Sequence, residues 1–179
     1  IIKKMWTEEN PEYKGKHYQI INPICEPKPI QKPHPPITVC GGGEQLTLKV
    51  TARHGDRYDW GYLPSLEDYK QKLKILENNC AKIGRNYDDI EKSCWSTGQL
   101  FMCSDNNDLE KRSAQFLPKD VSLKEFFKTN YVGTPEKYLQ EIQQYLDLGV
   151  TYFMLFFGDL PELRGLRIFA KELLNKKLN

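Results

Sequence analysis

The segment Ile37-Thr38-Val39-Cys40-Gly41-Gly42-Gly43-Glu44 decides how the fold of this 179-residue chain is interpreted. Residues 37–40 are short, apolar and β-branched, which is typical of a buried strand in a parallel sheet. The glycines that follow can adopt positive φ and let the backbone approach a ligand closely. Residues 44–53 are predicted to form a helix, whose N-terminal N–H groups would face the same point and favour a phosphate. A tight strand-to-helix turn without a ligand is the alternative, and the pattern alone leaves both interpretations open.

The segment that precedes this strand is rich in proline. Proline fixes φ and lacks a backbone donor, so it disfavours both a regular helix and a central strand. The prolines of residues 22–36 are Pro23, Pro27, Pro29, Pro33, Pro35 and Pro36. We therefore predict an irregular, extended excursion over residues 10–36, and long loops of this kind often carry function.

Downstream of the glycines, strand-like and helix-like segments alternate. Segments with the apolar or aromatic character of strands are residues 58–62, 93–103 and 150–157. Predicted helices follow the capping residues Ser65 and Thr134 and cover residues 105–117 and 160–178. Strands that alternate with helices favour a parallel α/β sheet, and about four strand–helix units are half of an eight-unit barrel. The predicted fold class is thus a partial (β/α)8 TIM barrel with parallel strands, as one domain over residues 1–179.

Composition excludes several classes of protein. Hydrophobic residues make up 39% of the chain and aromatic residues 12%, which is typical of a folded globular domain. The 26 basic and 24 acidic residues are mixed along the chain and leave a net charge of +2, so nucleic-acid binding is not expected. Since no apolar run approaches the roughly 20 residues needed to cross a bilayer, no membrane segment is expected either.

The cysteines and histidines favour no metal site. The five cysteines are irregularly spaced without a CxxC pair, and the three histidines are scattered, so we predict no bound metal. Reduced cysteines are typical of a cytoplasmic protein, which is the localisation we expect. The chain begins Ile1-Ile2-Lys3-Lys4, with neither an initiator Met nor a secretory signal, so we expect that residue 1 is not the natural start.

Two further segments have both a structural and a functional interpretation. Thr134, Pro135 and Glu136 open a helix, and because Glu136 already supplies negative charge there, capping is favoured over anion binding. The other segment, residues 56–62, combines Asp56, Arg57 and Asp59 with Tyr58, Trp60 and Tyr62. Its charges are predicted to form a surface ion-pair loop, or else to lie at the barrel mouth. Its aromatic side chains are predicted to be core or rim residues, rather than a surface that stacks on a ring system.

Several motifs in this chain resemble those of the luciferase-like monooxygenase family, in its deazaflavin-dependent branch. The resemblance covers nearly the whole chain, in the family's order. The motifs are Met5-Trp6-Thr7-Glu8-Glu9, Gly15-Lys16-His17-Tyr18, residues 27–37, Gly41-Gly42-Gly43-Glu44, Leu46-Thr47-Leu48, Ala52-Arg53-His54-Gly55-Asp56, Gly84-Arg85 and Val132-Gly133-Thr134-Pro135-Glu136.

The resemblance implies a (β/α)8 barrel of which this chain is the C-terminal half, with about the last four strand–helix units. It implies an oxidoreductase that uses FMN or an 8-hydroxy-5-deazaflavin coenzyme for monooxygenation or hydride transfer. In such proteins the glycines after the fifth strand meet the cofactor phosphate. That role falls here on Gly41, Gly42 and Gly43, and we include Glu44 in the predicted cofactor-binding set. No catalytic residue is predicted.

Two departures from the family pattern bear on function. The family usually has a Trp-Asn pair near the sixth strand, whereas this chain has Tyr58-Asp59, and an acidic residue would tolerate a nearby phosphate less well. The first four strands, which in the family carry the residues facing the reactive ring system, are not in these residues. We therefore expect an incomplete active site that pairs with a missing N-terminal half or with a second copy as a dimer, since open sheet edges favour association. The alternative is a non-catalytic half-barrel that acts as a binding or assembly module.

Overall fold

The computed structural model describes residues 1–62, 65–95 and 98–174, and the chain divides into two compact units. The first unit, Ile1–Ile37, contains helix α1 (Ile2–Thr7) and an antiparallel hairpin of β1 (Tyr13–Lys14) and β2 (Gln19–Ile20). Residues 21–37 form neither helix nor strand, as their proline content predicts. Within this unit Lys28 Nζ donates a hydrogen bond to the carbonyl of Met5 at 2.9 Å.

The strands of the second unit, Thr38–Asn179, are all parallel. They are β3 (Thr38–Cys40), β4 (Arg57–Tyr62), β5 (Glu91–Trp95), β6 (Leu100–Met102), β7 (Tyr131–Gly133) and β8 (Val150–Met154). Four of them form one sheet in the order β3-β4-β5-β8, while β6 and β7 pair with each other. The prediction of an α/β fold with a parallel sheet is confirmed.

Helices lie between or after these strands, and two of them begin at the caps that the sequence predicts, Ser65 and Thr134. The helices are α2 (Thr47–His54), α3 (Leu66–Ala81), α4 (Asn106–Phe116), α5 (Leu123–Thr129), α6 (Pro135–Leu146) and α7 (Arg164–Phe169). The Ser65 hydroxyl accepts from the N–H of Asp68 at 3.2 Å, and the Thr134 hydroxyl accepts from the N–H of Lys137 at 3.5 Å. Both satisfy N–H groups that have no partner inside the helix, so both predicted caps are confirmed. The predicted last helix, residues 160–178, begins later, and residues 175–178 lie outside the described part of the chain.

Helices α2 and α3 cover one face of the four-stranded sheet. Tyr58 of β4 is fully buried and stacks on Tyr69 of α3, with ring centroids 6.4 Å apart. The buried members of this core are Leu48, Ala52, Tyr58, Tyr69, Leu73, Leu76, Cys80, Ile90, Cys94 and Val150. A second core around β6, β7 and α6 contains Leu100, Met102, Tyr131, Tyr138, Ile142 and Leu173. Because side chains alternate along a strand, the residues on either side of Tyr58 point to the face opposite the helices.

One predicted strand is wrong. Residues 93–103 do not form a single strand, because β5 and β6 belong to different sheets, and residues 96–97 between them lie outside the described residues. Gly98, before β6, has φ +54°, and a Cβ atom at this position would collide with the carbonyl oxygen of Thr129. The chain therefore turns at Gly98 to start the second sheet.

The four-stranded sheet ends in an open edge on each side. Over the described ranges β3 pairs only with β4, and β8 pairs only with β5. The outer strands are correspondingly exposed, with Thr38 and Cys40 on β3 and Thr151 and Tyr152 on β8. Unpaired N–H and C=O groups along such edges are available to another strand.

No helix within the described residues combines the length and the apolar character required to cross a membrane.

Candidate functional site

The glycine loop, Gly41, Gly42 and Gly43, lies between the carboxyl end of β3 and the beginning of α2. Gly41 has φ +121°, which side chains rarely tolerate, and its N–H donates to the carbonyl of Asp59 at 2.8 Å. The carbonyl of Gly43 accepts from the N–H of Leu48 at 3.0 Å, which ties the loop to the first turn of α2. Among the described residues, the N–H groups of Gly42 and Gly43 meet no backbone acceptor. These donors lie shortly before α2, which begins at Thr47, and unpaired backbone N–H groups of this kind can bind an anion.

The surroundings of the loop leave little room for side chains on it. A Cβ atom on Gly42 would lie 3.0 Å from Cζ2 of Trp60, and one on Gly43 would lie 2.8 Å from Oγ1 of Thr47. Close approach therefore favours glycine at positions 42 and 43, positive φ favours it at position 41, and the Thr47 hydroxyl lies beside Gly43.

Glu44, the next residue, forms an ion pair with a lysine of the neighbouring helix. The Glu44 carboxylate lies 2.5 Å from Nζ of Lys72 in α3. The same Nζ lies 5.3 Å from the centroid of the Trp60 ring, and the Lys72 side chain is 17% exposed. A partly buried cation and its counter-ion thus lie next to the glycine loop.

Asp59 is the centre of a hydrogen-bond network on the sheet face opposite the helices. Its carboxylate accepts from the N–H of Gly61 at 2.6 Å, from Oγ of Ser93 at 2.6 Å and from Sγ of Cys40 at 3.6 Å. Cys40, Asp59 and Ser93 share one register position across β3, β4 and β5, and Asp59 is 1% exposed. Because a buried carboxylate requires donors, these contacts explain how the sheet accommodates its charge.

The same network affects the thiol of Cys40. Partial burial, together with the charge of Asp59 and the hydrogen bond to it, raises the pKa of Cys40 above its ordinary value. The thiolate is the nucleophilic form, so this arrangement makes Cys40 less reactive than a free thiol.

The predicted surface ion-pair loop at residues 56–59 is wrong, because Arg57 and Asp59 both lie in β4. Arg57 pairs with Glu91 of β5, with Nη2 and Oε2 2.5 Å apart, and its guanidinium lies 3.9 Å from the centroid of the Tyr152 ring. Arg57 is the first residue of β4, so it lies at the opposite end of the sheet from the glycine loop. Tyr58 and Trp60 are core aromatics, as predicted, whereas the side chain of Tyr62 lies outside the described part.

Sequence reasoning missed three side chains of this region: Thr47, Lys72 and Ser93. Thr47 follows the glycines closely and begins the helix, so its place in the pattern could have indicated it. Lys72 and Ser93 reach the region only because α3 and β5 are neighbours of α2 and β4 in space, and nothing local marks them. In the described ranges, His, Cys, Asp and Glu side chains form no group of three or more that is suited to a metal ion.

The parallel strands and the helices between them define the broad class of α/β proteins, in which ligands generally bind at the carboxyl ends of the strands. The sequence profile of the luciferase-like monooxygenases matches residues 1–121. The chain therefore belongs to the luciferase-like monooxygenase family.

Proteins that are similar to this chain in sequence include two kinds of enzyme. An F420-dependent glucose-6-phosphate dehydrogenase of Segniliparus rotundus is 24% identical over 198 residues, which cover 97% of this chain and 57% of the relative. An FMNH(2)-dependent dimethylsulfone monooxygenase of Pseudomonas putida is 23% identical over 190 residues, covering 90% of this chain and 52% of the relative. The chain thus spans little more than half the length of these relatives.

Solved structures show the same fold. An F420-dependent secondary alcohol dehydrogenase in complex with an F420–acetone adduct superposes with a TM-score of 0.70 at 16% identity, over 95% of this chain and 57% of the other. A monooxygenase from Streptomyces bottropensis gives a TM-score of 0.69 at 18% identity, over 97% of this chain and 57% of the other. At this level of identity the similarity establishes the fold.

Proposed function

We propose that this chain is the C-terminal half-barrel of a flavin- or deazaflavin-dependent oxidoreductase, and that Gly41, Gly42 and Gly43, with Glu44 beside them, form the site for the phosphate of its cofactor. The observation that carries the proposal is the pair of N–H groups on Gly42 and Gly43, which have no backbone acceptor among the described residues and lie in the segment that leads into α2. Relatives named for F420 and for FMNH(2) support a phosphate-bearing cofactor.

The residues around the loop fit a phosphate. Backbone N–H groups at a helix N-terminus bind phosphate through hydrogen bonds and the positive end of the helix dipole. The Thr47 hydroxyl adds a donor beside Gly43. The Asp59 carboxylate, which the sequence suggested as an obstacle, already accepts from Gly61 and Ser93 at 2.6 Å each, and these donors offset part of its repulsion.

Within such an enzyme the part played by these residues is binding and orientation. A bound flavin or deazaflavin would supply the redox chemistry, as hydride transfer or as monooxygenation. Gly41 sets the direction of the loop through its hydrogen bond to Asp59, while Trp60 packs against Gly42 and fixes the position of the donors. A phosphate held in this way would anchor one end of the cofactor, so that its ring system lies at a constant distance from the sheet.

We further propose that another half completes the barrel along the open edges of β3 and β8. The partner is the N-terminal half of the same enzyme or a second copy of this chain. Coverage of little more than half of the relatives supports this, as do the exposed outer strands. Sedimentation velocity at micromolar concentration should give a dimer or larger species for the isolated chain, and a clean monomer would contradict self-association.

Cofactor binding is tested by fluorescence titration of the chain with FMN, with the deazaflavin coenzyme F420 and with riboflavin, which lacks the phosphate. We expect FMN or F420 to bind at micromolar concentration and riboflavin to bind more weakly. Gly43→Ala, which places a methyl group against Thr47, should weaken FMN binding. Gly149→Ala is a control for the general cost of replacing a glycine away from the loop, because Gly149 lies beyond α6 with positive φ (+83°) and open space around it.

If neither cofactor binds, or if riboflavin binds as well as FMN does, the phosphate site is refuted. Absence of cofactor binding together with stable self-association would instead favour a non-catalytic half-barrel that acts as an assembly module.

A further inference from the structure

We infer that Lys72 supplies the positive charge for the cofactor's phosphate, and that Glu44 is the counter-ion that holds the Lys72 ammonium beside the glycine loop. This inference rests on the proposed function. It names a specificity-determining residue from a helix that the glycine motif does not include.

The position of Lys72 differs from that of its neighbours on α3. Lys70 pairs with Glu67 at 3.3 Å and Lys74 pairs with Glu77 at 2.8 Å, both within the same helix, and these lysine side chains are 46% and 68% exposed. Lys72 is 17% exposed and reaches across to Glu44 at 2.5 Å. Pairs of the first kind are ordinary features of a solvated helix face. The contact of Lys72 is directed at the loop.

The charge of the site requires such a cation. A phosphate monoester carries about −1.5 to −2 charges at pH 7, and the helix N-terminus offers only about half a positive charge. Glu44 and Asp59 add two carboxylates close to the loop, one paired with Lys72 and one hydrogen-bonded to Gly61 and Ser93. Without Lys72 the loop would have an excess of negative charge before any phosphate arrived.

Lysine is also suited to changing partners. Its ammonium is a compact charge with three donors on a flexible stem, so it can bond Glu44 and a phosphate at the same time. Trp60 lies near both groups, since its ring centroid is 5.3 Å from Nζ and a Cβ atom on Gly42 would lie 3.0 Å from its Cζ2. The ammonium is therefore kept within a short distance of the loop.

Substitution of Lys72 and substitution of Glu44 should change the affinity for FMN in opposite directions. Lys72→Gln removes the cation and should weaken FMN binding about tenfold or more, while riboflavin binding stays unchanged. Glu44→Gln removes the competing carboxylate and should strengthen FMN binding several-fold, because the ammonium then has the phosphate as its anionic partner. Lys72→Arg keeps the charge and should retain most of the preference for FMN.

The experiment measures FMN and riboflavin affinities of the chain and its variants by fluorescence, with circular dichroism to verify folding. Lys74→Gln is the matched control, because it makes the same change of charge on the same helix away from the loop. A purely structural role for Lys72 would lower thermal stability and change both affinities alike. The expected result is loss of the FMN preference in Lys72→Gln, with retention in Lys72→Arg and Lys74→Gln.

The outcomes separate the two claims. If the unmodified chain does not prefer FMN over riboflavin, the proposed phosphate site fails, and the role of Lys72 fails with it. If the unmodified chain prefers FMN and Lys72→Gln keeps that preference, the phosphate site stands and the role of Lys72 is overturned. Weaker FMN binding in Glu44→Gln would overturn the assignment of Glu44 as a competing counter-ion.

Discussion

Replacement of Asp59 tests whether the buried carboxylate is held in the sheet by the hydrogen bonds described above. Two donors contact it at 2.6 Å, the N–H of Gly61 and the hydroxyl of Ser93. The Ser93 hydroxyl also lies 3.1 Å from the carbonyl of Tyr58, which can serve as its acceptor when the carboxylate is absent. The two donors therefore respond differently to loss of Asp59.

The magnitude follows from these contacts. A hydrogen bond to a charged group contributes about 1.5–3 kcal/mol, and a buried donor without an acceptor costs about 1–3 kcal/mol. Asp59→Ala leaves the N–H of Gly61 without its acceptor and opens a small cavity, so the free energy of unfolding should fall by about 3–5 kcal/mol. In Asp59→Asn the amide oxygen still accepts from Gly61, and the amide nitrogen donates to Ser93, whose hydrogen turns to Tyr58. That variant should lose only about 1 kcal/mol.

Urea unfolding followed by circular dichroism, at one protein concentration, measures both values. A double-mutant cycle of Asp59→Ala with Ser93→Ala should give a coupling of about 1–2 kcal/mol, since the two side chains are in contact. The reasoning is refuted if Asp59→Asn is as unstable as Asp59→Ala, or if Asp59→Ala loses less than about 1 kcal/mol.

Three other measurements test features of the structure. Ellman's reagent should modify the exposed Cys40 in the folded chain, but more slowly than a free thiol because the pKa of Cys40 is raised. The reagent should reach the buried Cys94 only after unfolding, so fast modification of Cys94 in the folded chain would contradict its burial. Burial raises the pKa of Cys94 from 9.0 to about 12, so the folded state keeps a proton that the unfolded state loses. Stability should therefore fall as pH rises from about 9 towards 12, by up to about 1.4 kcal/mol per pH unit from this group, and Cys94→Ala should reduce that slope in urea unfolding at several pH values. Gly98→Ala should destabilise the chain by more than about 2 kcal/mol in thermal or urea unfolding, because the new Cβ collides with Thr129. Gly84→Ala, at a glycine with positive φ but open space, should cost about 1 kcal/mol. Equal effects of the two substitutions would show that backbone strain alone determines the loss of stability.

The elements that local chemistry determines were predictable from the sequence. Ser65 and Thr134 cap their helices through side-chain oxygens, and the β-branched residues before Gly41 form a strand of the parallel sheet. Such signals depend on a few adjacent residues, so they can be recognised in the sequence without knowledge of the rest of the fold.

The elements that were missed depend on contacts between distant segments. In the predicted helix over residues 44–53, Leu46, Val50 and Arg53 lie near one face with Leu48 and Ala52 alongside. In the structure Leu46 and Val50 are exposed, whereas Leu48, Thr51 and Ala52 are buried. The helix begins at Thr47 and packs against α3 and the sheet. This packing determines which face of the helix is buried, and no short sequence pattern describes it. Likewise β7 has only three residues, too few to show an alternating pattern.

The residues of the candidate site also fall into a group that the sequence predicts and a group that it does not. The glycine loop was predicted because its residues are consecutive and their chemistry is local. Lys72 and Ser93 join it from a helix and a strand that are separate in sequence, so only the assembled sheet brings them to Glu44 and Asp59.

The connection between β5 and β8 has a consequence for the order in which the sheet forms. Neighbouring strands β3 and β4 pair residues 38 and 57, whereas β5 and β8 pair residues 92 and 150, about three times as far apart along the chain. Closing the longer loop costs about 1 kcal/mol more in chain entropy. The whole of β6, α4, α5, β7 and α6 must also be accommodated before β8 can dock. During synthesis, the strands that carry the glycine loop can therefore associate while the last edge of the sheet is still being made.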